Sequence, residues 1–338
     1  MVSSYRSQEQ MLTRAKVIDM SQPLALIFPG QGSQQLGMLR ELAERYSVVG
    51  TTFEEASEAL GYDLWKLVQE GPEERLNATA CTQPALLTSS VAIWRVWQEL
   101  EGPRPGVMAG HSLGEYSAMV CAGVLSFAEG VQLVKLRGEA MQQAVPAGEG
   151  GMAAILGLEG AVVEEACLKA AQGEVVAAVN YNAPGQVVIA GSKAAVERAI
   201  VACQEAGAKR ALPLPVSVPS HCELMRPAAE QLAQAMANIK MRPPRYTVIQ
   251  NVDAQAHADV ETLRTRLVEQ LYQPVRWTSC VEAMAEQGAR VFIECGPGKV
   301  LTGLNKRIVR GSKGLAVNDP DSLEAALGLA RETLAGDA

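Results

Sequence analysis

The stretch VMAGHSLGEYSAMVCAG, residues 107–123, constrains the fold more than any other part of the chain. An apolar, β-like run from Gly106 to Gly110 meets a helical run from Leu113 at a serine held between glycines, G-x-S-x-G. Such a joint needs a tight turn, and the small residues let strand and helix approach each other closely. A buried strand that feeds directly into a helix belongs to an α/β fold with a largely parallel sheet.

The same alternation recurs along the chain. LALIF (24–28) runs into the glycine-rich loop PGQGSQ, and ALLTSSVAIWRVWQEL (85–100) has helical spacing. SFAEGVQLVKLRGEAMQQAV (126–145) also reads as helix, with Ser126 as its N-cap and Pro146 just beyond its end. TVIQNV (247–252) and RVFIECGPG (290–298) read as further strands, and the chain after Asp319 as a last helix. Between them, 151–218 has its own rhythm. MAAILGL, AVVEEACLKAA, VVAAVNY, QVVIAG, AAVERAIVACQEAG and KRALPLPVSV run β-α-β-β-α-β, the ferredoxin-like unit. The expected architecture is therefore a hydrolase-like large domain over 23–148 and 219–338, with a ferredoxin-like small domain inserted at 149–218.

Length agrees with two domains, since 338 residues is about twice the ~150 typical of one. A net charge of −7 argues against a nucleic-acid binder. No apolar run approaches the ~18 residues of a membrane span. The seven cysteines are odd in number, widely spaced and without C-x-x-C, so a disulfide framework or zinc site is not expected; a reduced, cytoplasmic chain is. Residues 1–22 are polar, lack the apolar core of a secretory signal, and are set aside as an extension expected to be disordered.

Ser112 has two readings, a nucleophile on an elbow or an ordinary helix cap; the strand-turn-helix context favours the first. Three histidines compete as its base. His111, adjacent on a tight turn, should point away from the hydroxyl and serve as support. His257 lies in the polar loop DAQAHADVE and reads as a surface residue. His221 follows an apolar run at a strand end, where catalytic loops emerge, and is left by elimination. No aspartate lies between Ser112 and His221, and Glu139, Glu164, Glu165 and Glu197 sit on helices at positions suited to solvent. A triad in the hydrolase order is thus not expected. A carbonyl or amide that orients the histidine suits a thioester, whose thiolate leaves easily, better than an amide bond.

FPGQGSQ (28–34), TQPALLTS (82–89), GHSLGEYSA (110–118), LRGEAM with Arg137, NYNAPGQVVIAG (180–191), VPSHC (218–222), QNVDA (250–254), QLYQPVRWT (270–278) and GPGKVLTGLNKRI (296–308) together closely resemble the malonyl-CoA:acyl carrier protein transacylases of bacterial type II fatty acid synthesis. The resemblance runs from about Leu24 to the last helix. It implies Ser112 as nucleophile, His221 as base, the amides of Gln31 and Leu113 as oxyanion hole, and the Gln270 carbonyl as the group that holds the histidine. It also implies that Arg137, an exposed helical arginine on sequence alone, clamps the free carboxylate of malonate. Malonyl-CoA and acyl carrier protein become the expected partners, with no cofactor or metal and a monomeric enzyme. Lys306 and Arg307, in the cationic stretch KRIVRGSK, are the candidate docking residues for an acidic carrier. A serine thioesterase, a non-catalytic docking module and a malonyltransferase of a polyketide pathway are the rival readings.

Overall fold

The computed structural model describes residues 23–216 and 218–336; the segment 1–22 lies outside the described residues. Its strands are β1 (Leu24–Phe28), β2 (Val107–Gly110), β3 (Gly150–Leu156), β4 (Val176–Ala183), β5 (Gln186–Ser192), β6 (Arg210–Pro213), β7 (Thr247–Ile249), β8 (Val291–Cys295) and β9 (Lys313–Val317). Five of them form a parallel sheet in the order β7-β2-β1-β8-β9.

A parallel sheet must be covered on both faces, which is why its central strands read as unbroken apolar runs. β1 shows the consequence residue by residue. Leu24, Leu26 and Phe28 enter the larger core, packed with the helices of 40–100 and 113–144. Ala25 and Ile27 enter a second core with Trp277, Val281 and Phe292 on the opposite face.

The other four strands form an antiparallel sheet, β4-β5-β3-β6, the strand order of a ferredoxin-like unit. One face packs Ile155 and Ile189 against the helices Gly160–Ala171 and Lys193–Glu205. The opposite face carries Val179, Val188 and Ala190, with Met152 and Leu214 at its margin. The two sheets meet along β4. Val275 donates to the Val179 carbonyl (2.8 Å) and accepts from the Tyr181 amide (3.0 Å), and the Thr278 hydroxyl donates to the Tyr181 carbonyl (3.0 Å).

Three elements depart from the sequence reading. The expected strand over 209–218 stops at Pro213, because Pro213 and Pro215 supply no amide to a ladder. The long helix begins at Thr79 rather than Ala85 and carries Pro84 inside it. β9 was not expected at all: among the described residues it is an edge strand with a single neighbour, half-buried, and its KGLAV sequence begins on the last lysine of the cationic stretch KRIVRGSK.

Candidate active site

β1 and β2 are neighbours, and the loops leaving their carboxyl ends, PGQGS and GHS, converge where a doubly wound sheet offers a crevice. At the second loop Ser112 has φ 52°, a left-handed conformation that costs a non-glycine residue on the order of 1–3 kcal/mol. The glycines on either side are required by space. A Cβ on Gly110 would lie 1.9 Å from the Gly114 carbonyl, and one on Gly114 would lie 2.0 Å from the Phe28 carbonyl. Asn251, at the end of β7, braces the turn from below: its Oδ1 accepts from the Ser112 amide (2.8 Å) and its Nδ2 donates to the Gly110 carbonyl (2.8 Å).

Ser112 Oγ lies 2.7 Å from His221 Nε2, so the serine and the histidine chosen by elimination are brought together across 109 residues of chain. His221 Nδ1 lies 2.6 Å from the Gln270 main-chain oxygen. A carbonyl can only accept, so Nδ1 carries the proton and the Nε2 lone pair faces the hydroxyl. Burial, and then the nearby Arg137 guanidinium, push the imidazole pKa down to about 3, against which the Gln270 carbonyl works. The ring is thus unprotonated at neutral pH, the state a general base needs.

Arg137 is 1% exposed, not the surface arginine its helix suggests. The Phe127–Ala144 helix is set by a capping box between Ser126 and Glu129. It then packs close to the Thr79–Glu99 helix, where a Cβ on Gly138 would fall 2.7 Å from the Thr79 carbonyl. That approach brings Arg137 to three acceptors: Nη1 donates to Gln83 Oε1 (2.9 Å), and Nη2 to Gln270 Oε1 (3.0 Å) and to Ser112 Oγ (3.3 Å). Its Nε is buried without an acceptor among the described residues.

The amides of Gln31 and Leu113 likewise donate to no acceptor among the described residues, Leu113 because it opens a helix. Gly30 is fixed by the approach of His111, whose carbonyl a Cβ would meet at 2.6 Å, and Gly32 adopts φ 101°. Both amides border a cleft of about 450 Å³ between the two sheets, lined also by Met152, Val188, Leu214 and Leu304. A site with a hydroxyl, an unprotonated imidazole, two free amides and a buried cation can carry out acyl transfer through a serine ester.

The other expectations divide. His111 turns away from the hydroxyl and its Nε2 reaches Asn182 Oδ1 at 2.7 Å across the cleft. His257 is not an exposed surface residue: it is half-buried, 2.9 Å from Asp253. Lys306 and Arg307 lie on the exposed side of the Val300–Ile308 helix, but the Arg307 guanidinium is engaged, donating to the Pro184 carbonyl (3.1 Å) and Gln186 Oε1 (2.6 Å) of the small sheet. Gln83, Asn251 and above all Glu115 were missed. Among the described residues, no cluster of histidine, cysteine, aspartate or glutamate has metal-ligand spacing, and no helix is long and apolar enough to cross a membrane.

Known proteins are similar to this chain over nearly its whole length. The acyl transferase domain family matches residues 25–335. The malonyl CoA-acyl carrier protein transacylase of Salmonella typhimurium is 60% identical, covering 90% of this chain and 98% of its own length; that of Bacillus subtilis is 45% identical, covering 91% and 98%. An acyl carrier protein S-malonyltransferase structure from Vibrio cholerae superposes with a TM-score of 0.89 at 63% identity, over 90% of this chain and 99% of the other. A malonyl-transacylase solved in complex with a type II PKS acyl-carrier protein gives 0.90 at 59% identity, over 90% and 99%. With an elbow serine, a carbonyl-held histidine and this degree of identity across the entire fold, the chain belongs to the acyl transferase family, among the malonyl CoA-acyl carrier protein transacylases.

Proposed function

We propose that this enzyme moves a malonyl group from malonyl-CoA to the phosphopantetheine thiol of acyl carrier protein, supplying extender units for fatty acid synthesis. His221 Nε2 takes the Ser112 proton as Oγ attacks the thioester carbon. The amides of Gln31 and Leu113 hold the oxyanion, and collapse expels the coenzyme A thiolate, which recovers the proton from the imidazolium. The carrier thiol then enters and the steps run in reverse. The stretch 149–218 acts as the inserted small domain that walls the cleft and limits access of water to the ester.

The observation that carries this reading is the buried Arg137 guanidinium, 3.3 Å from Ser112 Oγ and with an unmatched Nε. In a malonyl ester the free carboxylate lies two bonds beyond the acyl carbon, so it falls at the cation beside the serine. The test is intact mass: mixing with malonyl-CoA should add one malonyl group, and adding carrier with its phosphopantetheine arm should remove it to the carrier. Release of free malonate instead would mean a thioesterase. Against that alternative, the His221 ring is held by a carbonyl where a hydrolase would place a carboxylate.

Arg137→Ala should invert acyl preference. Stranding one member of a buried ion pair costs several kcal/mol, and about 3 kcal/mol corresponds to ~10²-fold. Measured as kcat/KM for malonyl-CoA over acetyl-CoA, an unchanged ratio removes Arg137 from the acyl site.

Docking of an acidic carrier on a chain of net charge −7 needs local positive charge. We assign that role to Lys306, and assign Arg307 to holding the two sheets together. Lys306→Glu should then load from coenzyme A normally but transfer to carrier several-fold more slowly at low salt, since rim charges act on association; equal loss in both half-reactions refutes the assignment. A polyketide carrier is the second reading, favoured by the relative solved with such a carrier; parallel transfer rates to the two carriers decide it. We place the enzyme in the cytoplasm, where its seven free cysteines would stay reduced, and expect it to work as a monomer.

A further inference from the structure

Glu115 lies between Ser112 and His221 in chain order, three residues past the elbow, and is fully buried. Its carboxylate touches neither of them. Oε1 accepts from Gln250 Nε2 (3.0 Å), and Oε2 accepts from the Asn251 amide (2.9 Å) and from Gln270 Nε2 (2.9 Å). Gln270 is the residue on which the site converges. Its carbonyl holds His221, its Oε1 holds Arg137, and its Nε2 also donates to the Ser112 carbonyl (2.9 Å). Asn251 braces the elbow. One buried carboxylate thus fixes both residues that fix the machinery.

We infer that Glu115 is the positioning acid of this site: through Gln270 it sets the geometry of Arg137 and His221, and its ionised form competes with the substrate carboxylate for Arg137. The inference rests on the malonyl reading above. Arg137 has no directly bonded carboxylate among the described residues; burial lowers its pKa, and Tyr116 and then the Glu115 charge work against that. A malonate carboxylate arriving at the same guanidinium is therefore repelled by Glu115, whereas an acetyl group is not.

The site can hold Glu115 in either charge state. Gln250 Oε1 is buried with no partner among the described residues. Rotating that amide by half a turn would let a protonated Oε1–H donate to it, at the cost of the 3.3 Å bond from Gln250 Nε2 to the Leu263 carbonyl. Burial raises the Glu115 pKa to about 7, opposed by its three donors. The groups around it are set apart from it: burial lowers the Arg137 pKa, though a guanidinium stays cationic at neutral pH, His221 is held far below its usual range, and burial drives Tyr116 and Cys280 upward. Asp253 adds a repulsive charge, itself paired with Arg266 and His257.

The sign follows. Below about pH 7 Glu115 is protonated and malonate meets an uncontested Arg137; above it, the ionised carboxylate disfavours malonate. The wild-type KM for malonyl-CoA should rise through neutral pH by roughly threefold to tenfold, the scale of two partly screened buried charges, while that for acetyl-CoA does not. Taking the ratio of the two substrates cancels the titration of coenzyme A itself. Glu115→Gln keeps shape and can keep its hydrogen bonds through the same amide rotation, so it removes the charge alone. It should fix the ratio at its low-pH value across the range. Glu115→Ala removes the support as well and should slow both substrates, by tenfold or more in kcat. A malonyl-to-acetyl ratio in Glu115→Gln that still changes with pH as in the wild type overturns the proposal, as does full kcat in Glu115→Ala. Failure of the malonyl reading looks different: the wild type would then accept no malonyl group at any pH.

Discussion

A Ser112→Ala variant is expected to form no malonyl adduct, and its transfer rate should fall by roughly 10⁶-fold, the scale of losing a nucleophile that acts as a unit with its base. The methyl group leaves His221 Nε2 and Arg137 Nη2 facing a carbon where Oγ had stood 2.7 and 3.3 Å away. The loss should be chemical and not structural. The turn is braced through the Ser112 main chain, whose amide donates to Asn251 and whose carbonyl accepts from Gln270, and neither bond involves the side chain. Alanine also tolerates φ 52° about as poorly as serine, so the elbow strain barely changes. Intact mass after mixing with malonyl-CoA, alongside the thermal midpoint, checks both halves. An adduct of normal yield on the folded variant would sink the serine-ester route.

Ser112 was legible because its conformation leaves a local signature. Gly110 and Gly114 are forced by contacts within a few residues and with the adjacent strand, and such short-range demands show in composition. β1 was legible for a related reason: burial on both faces writes one unbroken apolar run. The N-cap at Ser126 and the strands β3, β4 and β5 belong to the same class.

Residues whose role arises from distant parts of the fold were harder to read. Arg137 on its helix looks like any solvated arginine, and its burial depends on how closely two helices pack at Gly138. Only family resemblance pointed to it. Glu115 lies inside the elbow motif but leaves no signal of its role there, because its carboxylate makes no direct contact with the histidine. It meets the histidine through Gln270, 155 residues away in sequence. Arg307 counted as a free cation by composition, and its engagement with Pro184 and Gln186 depends on the meeting of two sheets. β9 escaped because an edge strand with one neighbour needs no strong pattern.

His221→Ala should slow acylation by ~10²–10⁴-fold, the usual contribution of a general base. An imidazole with a pKa near 3 is a weak base at rest, and part of that weakness comes from the Arg137 charge. A malonate carboxylate on Arg137 cancels that charge. The histidine therefore gains basicity when the acyl group that fits the site arrives, and gains none from acetyl. Two results follow in the wild type. The acylation rate with acetyl-CoA should show no His221 ionisation in the ordinary histidine range near 6.5, since a depressed pKa keeps the ring neutral down to about 3. With malonyl-CoA the acid limb of kcat should lie at higher pH than with acetyl-CoA, because the bound carboxylate raises the histidine back toward its usual value. Both limbs should vanish in His221→Ala, whose residual rate no longer depends on a ring that can be protonated. Single-turnover acylation followed by quench and mass measurement gives all three curves. A loss below tenfold in His221→Ala would leave the carbonyl-held imidazole without a role, and coincident limbs for the two substrates would show that Arg137 does not tune it.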